Sequence, residues 1–274
     1  MRITKTIIKY FFLIVMATIQ IVPLIWLFLF SLKDNNQIFG KSSFSLPSPV
    51  VFENYSFAFT RGGVGRYFLN SVIVSGLTVF LVVILSSMVT YAIIRMKWKY
   101  QKIAYVYFLM GLMIPIHSGL LPLFIVLKSL GILNTRIALI VPYTAFGLSM
   151  AIMIISGFIV AIPRELEEAA AIDGASIYRI FYIIVLPLIK PALAAITIIT
   201  FKNSWNEMMM ATVFINKPEL KTLTVGINSL TGEYLTEWGV IGAGLMIASL
   251  PIIIVYLISS DKIQKGLIAG AVKG

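Results

Sequence analysis

IALIVPYTAFGLSMAIMIISGFIVA, residues 137–161, decides the fold class: it is twenty-five residues long and carries no charge. As an α-helix rising 1.5 Å per residue it would run about 37 Å, enough to cross the roughly 30 Å hydrocarbon layer of a bilayer. Five similar stretches lie around it, at about 10–31, 70–94, 103–127, 191–213 and 238–260. They bring the 274-residue chain to 59% hydrophobic and only 12% charged residues, where a soluble domain carries about a quarter charged. The expectation is an all-α integral membrane protein of six transmembrane helices, forming one membrane domain over residues 1–274. Arg2, Lys5 and Lys9 precede the first stretch as they would in a signal peptide. The apolar run is too long for that reading, and no small-residue cleavage site follows it.

The basic residues set an orientation. With the amino terminus in the cytoplasm, the inner segments 1–9, 95–102, 162–190 and 261–274 hold thirteen Lys and Arg in sixty residues, against eight in seventy-one residues outside. That is the bias of the positive-inside rule, and it places both termini in the cytoplasm. It also accounts for most of the net charge of +11 without nucleic acid. The densest patch, Arg95-Met-Lys97-Trp98-Lys99-Tyr100-Gln-Lys102, is wedged between two spans and reads as an anchor on anionic lipid. There is no cysteine, so disulfides, thiolate metal sites and thiol nucleophiles are excluded.

Between the fourth and fifth stretches lies a cytoplasmic loop, 162–190, that begins IPRELEEAAAIDGAS. Pro163 suits a helix start, Glu165 and Glu167 suit a first turn, and the alanines favour helix. Gly174 can adopt the left-handed conformation that ends a helix, and Ser176 can cap the next one. Pro187 should break that second helix. On the first helix, Leu166, Ala169, Ala170 and Asp173 share one face, while Glu165 and Glu168 are free to pair with basic groups or helix ends of a partner. Spacing alone also allows a solvated connector that touches only its own membrane.

Glu168-Ala169-Ala170, Gly174, Ile184 and Leu186-Pro187, with their spacing, resemble the EAA loop of permease subunits of bacterial binding-protein-dependent ABC importers. Further similarities extend over nearly the whole chain and point to the maltose-type carbohydrate group. They include Asn35–Pro49, Glu53-Asn54-Tyr55, Phe68-Leu69-Asn70-Ser71, and Ser204-Trp205-Asn206-Glu207, where that group more often has Asp at the last position. The ending Gly266-Leu-Ile-Ala-Gly270-Ala-Val-Lys-Gly274 resembles its cytoplasmic tail.

The resemblance implies a type I ABC importer permease fold and a multi-pass protein of the bacterial inner membrane. It implies a coupling helix over Arg164–Asp173 seated in a separate ATPase. That role carries over to Glu168, Ala169, Ala170 and Gly174, with Asp173 and Glu165 as further members. Partners implied are a second permease chain in a heterodimer, two ATP-binding subunits and an extracellular solute-binding protein. The cargo implied is a sugar, though importers of other solutes carry the same loop. This chain would hold no cofactor, with ATP and Mg bound by the ATPase subunits, and would catalyse no reaction.

The fifth stretch carries polar residues near its middle, where one charge costs about 2.5–3.5 kcal/mol on insertion scales. Asn203, Asn206, Glu207 and Met210 fall on one face at helical spacing and are candidates for the translocation path or its gate. Hydrogen bonding between helices, with Lys202 neutralising Glu207, is the alternative. His117, the one histidine, stands in the third stretch near Pro115 and Pro122, which should kink it. It reads as a neutral hydrogen-bonding residue on the interior face. An ion-coupled carrier using Glu207 and His117 is the competing function. Gly40-Lys41-Ser42 lacks the rest of a phosphate loop, and the Asn54-Tyr55-Ser56 sequon is of a kind common by chance. Nothing in the chain has the pattern of a catalytic triad or a metal cluster.

Overall fold

A computed structural model describes residues 2–40, 45–231 and 236–271, with side chains for 6–40, 45–231 and 236–259. Lys41, Ser42 and Gly274 lie outside the described residues, and the tail from residue 260 to 271, with Gly266 and Gly270, is described as backbone alone. Every regular element among the described residues is helical. In chain order the α-helices are α1 (Arg2–Ser31), α2 (Asn35–Phe39), α3 (Glu53–Thr60), α4 (Val64–Arg95), α5 (Gln101–Met110), α6 (Leu120–Ser129) and α7 (Ile137–Ala161). They continue as α8 (Arg164–Ile172), α9 (Ile177–Ile180), α10 (Leu186–Leu188), α11 (Lys190–Asn206), α12 (Met209–Phe214), α13 (Leu223–Asn228) and α14 (Trp238–Ala271).

Among the described residues, four helices contain a continuous stretch long and apolar enough to cross a membrane: Thr6–Ser31, Val64–Arg95, Ile137–Ala161 and Trp238–Ser259. Two further segments do so as bent pairs, Gln101–Met113 with Ile116–Ser129 at 96° and Ile177–Leu188 with Lys190–Asn206 at 74°. Each pair counted as one span gives six. The first bend falls at Ile114-Pro115, where both residues are extended (ψ 115° and 123°). Proline disfavours α conformation in the residue before it, so the helix stops there. Pro122, expected to add a kink, instead occupies the first turn of α6, where its missing N–H costs nothing. The second bend also differs from the expected break at Pro187. The helix widens into a π-turn over Phe181–Val185, runs on through Leu186–Leu188, and turns at Ile189. A wide turn before a proline relieves the clash of its ring with the carbonyl four residues back.

The chain divides into two compact units, Met1–Arg66 with Val225–Pro251, and Tyr67–Thr224 with Ile252–Gly274. In the first, Asn54 is buried and its amide donates to the carbonyls of Ser31 and Lys33, both at 2.9 Å, at the end of α1. That accounts for Asn54 as a structural residue and leaves no room for a glycan. The long apolar helix α1 is largely exposed from Thr6 to Phe28, with Ile7, Phe11, Ile14 and Ile19 all more than half accessible. Such a surface belongs in lipid or against another subunit.

The second unit has a core built from α4, α7, the π-turn and α11. Val82, Tyr91, Ile155, Ile159, Phe181, Val185, Ile189 and Ile196 are all buried there. Gly147 of α7 faces Val82 of α4, and a Cβ at that glycine would come within 2.8 Å of a Val82 methyl. Small residues of this kind let membrane helices approach closely, where lipid provides no hydrophobic force to press them together.

Candidate functional site

Two residues, Ile162 and Pro163, join the end of α7 to the short helix α8. Pro163 takes φ −58° and ψ 133°, which turns the chain before Arg164 starts the helix. At the other end the closure expected of Gly174 is present, with φ +80°. Gly174 N–H donates to Ala171 O at 3.0 Å and Ala175 N–H to Ala170 O at 2.9 Å, the reciprocal pair that satisfies the last carbonyls of a helix. Ser176 then caps α9, its hydroxyl accepting from Arg179 N–H at 3.4 Å.

The faces of α8 differ in register from the sequence reading. Glu165, Glu168, Ala169 and Ile172 are exposed, at i, i+3, i+4 and i+7 spacing, and Ile172 is 86% accessible. Ala170, expected on the outward face, is half-buried and packs against the core of the second unit. Leu166 is only 47% accessible, and Asp173 is exposed at the carboxyl end of α8. The rotation has a cause on the inner face. Glu167 accepts an ion pair from Arg95 Nε at 2.8 Å and a hydrogen bond from the Tyr91 hydroxyl at 3.2 Å. Neither Arg95, read as a lipid anchor, nor Glu167, read as a first-turn residue, carries any signal of the other across 72 positions of sequence.

The second candidate group lies around the carboxyl end of α11. The helix does not run through Glu207; it ends at Asn206, Glu207 is extended (ψ 129°), and α12 starts at Met209. Helical spacing therefore fails beyond residue 206. The Glu207 carboxylate caps α12, accepting from Met210 N–H at 2.8 Å and Ala211 N–H at 3.1 Å. The Tyr143 hydroxyl of α7 donates to it at 2.5 Å, and Thr224 Oγ1 donates to the Glu207 carbonyl at 3.0 Å. Lys202 is exposed, so this carboxylate is satisfied by dipoles rather than by the lysine first considered.

Asn203, Glu207 and Met210 border a cavity of about 110 Å³ together with Thr78 of α4, Tyr143 and Met150 of α7 and Ile116. Asn206, although it belongs to α11 with Asn203, is not among its walls and is exposed. The cavity is mostly apolar, with Thr200, Ser204 and Glu207 adding polar atoms at one side. His117 is exposed at the 96° bend rather than interior, and its side chain makes no hydrogen bond among the described residues. Sequence reasoning also missed Arg136, whose guanidinium donates to Asn70 Oδ1 at 2.8 and 3.1 Å. Asn70 in turn donates to the carbonyls of Glu219 and Lys221, at 2.9 and 3.0 Å. These bonds tie the start of α4 to the segments that flank α7 and α12.

Residues 83–268, more than half of the chain, match the family model described as the binding-protein-dependent transport system inner membrane component. The chain belongs to this family. A relative within it is the probable ABC transporter permease protein YurM of Bacillus subtilis strain 168, 38% identical over 92% of this chain and 83% of that protein. Another is the diacetylchitobiose uptake system permease protein NgcG of Streptomyces coelicolor, 34% identical over 94% of this chain and 86% of its own length. Among solved structures, a bacterial ABC transporter involved in the import of the acidic polysaccharide alginate superposes with a TM-score of 0.82. It is 22% identical, over 93% of this chain and 95% of that chain. This family member is thus a multi-pass membrane subunit of an ABC importer with the type I permease fold.

Proposed function

We propose that the chain is the permease subunit of a bacterial sugar importer, passing a sugar delivered by an extracellular solute-binding protein across the inner membrane by alternating access. The observation that carries this reading is α8, a nine-residue helix two residues from the end of a membrane helix, with Glu165, Glu168, Ala169 and Ile172 exposed on one side. An amphipathic helix with a free face of that size fits a groove in a second protein. With both termini in the cytoplasm, α8 lies on the cytoplasmic side, and its partner is one of two ATP-binding subunits that hold ATP and Mg and perform the hydrolysis. A second, different permease chain completes the membrane pore. Glu165, Glu168, Ala169, Ala170, Asp173 and Gly174 form or shape the coupling element, and Asn203, Glu207 and Met210 border the path of the cargo.

A sugar as cargo is supported by the relative named for diacetylchitobiose uptake and by the neighbour named for alginate import. ATP binding in the partner pair shifts the coupling helices and opens the bundle outward, and hydrolysis reverses it, a two-state equilibrium biased by nucleotide. The test is uptake into proteoliposomes holding the chain with its second permease and ATPase, using a panel of labelled mono-, di- and oligosaccharides and the transporter's solute-binding receptor. Uptake of at least one sugar that requires both ATP and receptor is expected. Uptake without ATP, or a receptor that binds no sugar, would overturn the reading.

A further inference from the structure

The coupling helix is covalently joined to the bundle at both ends, running on through Gly174 and Ser176 into α9. Through Pro163 it continues α7. Its link to α4 is made by side chains alone. Arg95, the last residue of α4, pairs through Nε with Glu167 Oε1 at 2.8 Å, and the two side chains are only 7% and 13% exposed. From the same guanidinium, Nη2 donates to the carbonyls of Ile159 and Ile162 at the end of α7, at 2.8 and 2.5 Å. Tyr91, one turn back on α4, donates its hydroxyl to the other oxygen of Glu167 at 3.2 Å, and its ring lies 5.1 Å from that of Phe181. One arginine thus gathers the ends of α4 and α7 and the inner face of α8, while the outer face of α8 remains free.

We propose that Arg95 and Glu167 are positioning residues that make α4 follow the coupling helix, so that its displacement reaches α4 as well as α7, two of the helices that border the cavity. This rests on the reading of α8 as the coupling helix. α4 supplies Thr78 to the cavity wall and α7 supplies Tyr143 and Met150. Without the pair, a displacement of α8 would reach α4 only indirectly, through the packing of α4 against α7, because no backbone connection between α4 and α8 is shorter than 68 residues. A planar guanidinium with several fixed donors is suited to holding three elements at once, where lysine would hold one.

The test uses the complete transporter in proteoliposomes and compares Glu167→Gln, Arg95→Lys and Glu167→Asp with the parent. Glu167→Gln and Arg95→Lys should assemble with the ATPase and hydrolyse ATP near the parent rate, while sugar moved per ATP falls about fivefold or more. Glu167→Asp, which keeps the charge, should recover much of that loss. A proportional fall in hydrolysis and uptake, or no change in either, would overturn the proposal. If the parent itself moves no sugar with ATP, the permease reading fails instead.

A second measurement is independent of the variants' folding. The chain has no cysteine, so spin labels can be placed on cysteines at Lys97 and Ala171, both exposed. Their separation should be the same in nucleotide-free and ATP-trapped states of the otherwise unaltered transporter. A nucleotide-dependent shift there would overturn the proposal.

Discussion

Replacing Glu207 separates a structural carboxylate from a passive wall of the cavity. In Glu207→Ala, α12 loses the side chain that accepts from Met210 and Ala211 N–H, a cap worth about 0.5–2 kcal/mol. Tyr143, only 7% exposed, loses the acceptor of its hydroxyl, and leaving that group buried and unpaired costs about 1–3 kcal/mol more. The sum is about 1.5–5 kcal/mol, which for a chain of this size is a fall in melting temperature of roughly 3–20 °C. Tyr143→Phe removes one hydrogen bond to a charged acceptor and should cost about 1.5–3 kcal/mol. Because both changes delete the same 2.5 Å bond, the double variant should lose less than the sum, by about 1–3 kcal/mol. The assay is thermal unfolding of the purified chain in nanodiscs, read by tryptophan fluorescence across the four members of the cycle. Strict additivity, or a Glu207→Ala variant as stable as the parent, would refute the assignment of Glu207 as a cap fastened to α7.

Two further outcomes follow from single positions. Gly174→Ala places a Cβ at φ +80°, a strain of about 1–2 kcal/mol, and should lower ATP-driven uptake more than Gly174→Asn, since asparagine tolerates the left-handed region; equal effects in paired uptake assays would contradict this. Gly147→Ala drives a methyl against Val82, where the clearance for a Cβ is 2.8 Å, and should destabilise by about 1–3 kcal/mol; pairing it with Val82→Ala should restore the melting temperature, and no restoration would contradict the close approach of α4 and α7.

What the sequence revealed depended on the range of the interactions involved. Chargeless runs such as 137–161 announce membrane helices by length alone, and Gly174 and Ser176 announce local backbone events within a few residues of themselves. Proline at 115 was visible, but the size of the bend it starts, 96°, was not. On the face expected of α8, Leu166, Ala169 and Asp173 are exposed and Ala170 alone is half-buried, beside Glu167, whose partner Arg95 is remote in sequence. In the fifth stretch Asn203, Glu207 and Met210 border one cavity although the helix does not continue through them: α11 ends at Asn206, and Glu207 bonds the N–H groups of the next helix with its own side chain, which helical spacing does not reveal. Tyr143 and Arg136 sit in otherwise ordinary surroundings, and only their distant partners, Glu207 and Asn70, give them meaning.

The central claim is that the exposed face of α8 seats in a nucleotide-driven partner. Single cysteines at Ala169, on that face, and at Lys99, exposed in the loop after α4, allow one direct measurement: bifunctional crosslinking to the co-expressed ATPase with and without ATP. Crosslinking at Ala169 alone, changing in yield when ATP is trapped, is expected. Equal reaction at both sites, or none at Ala169, would contradict it.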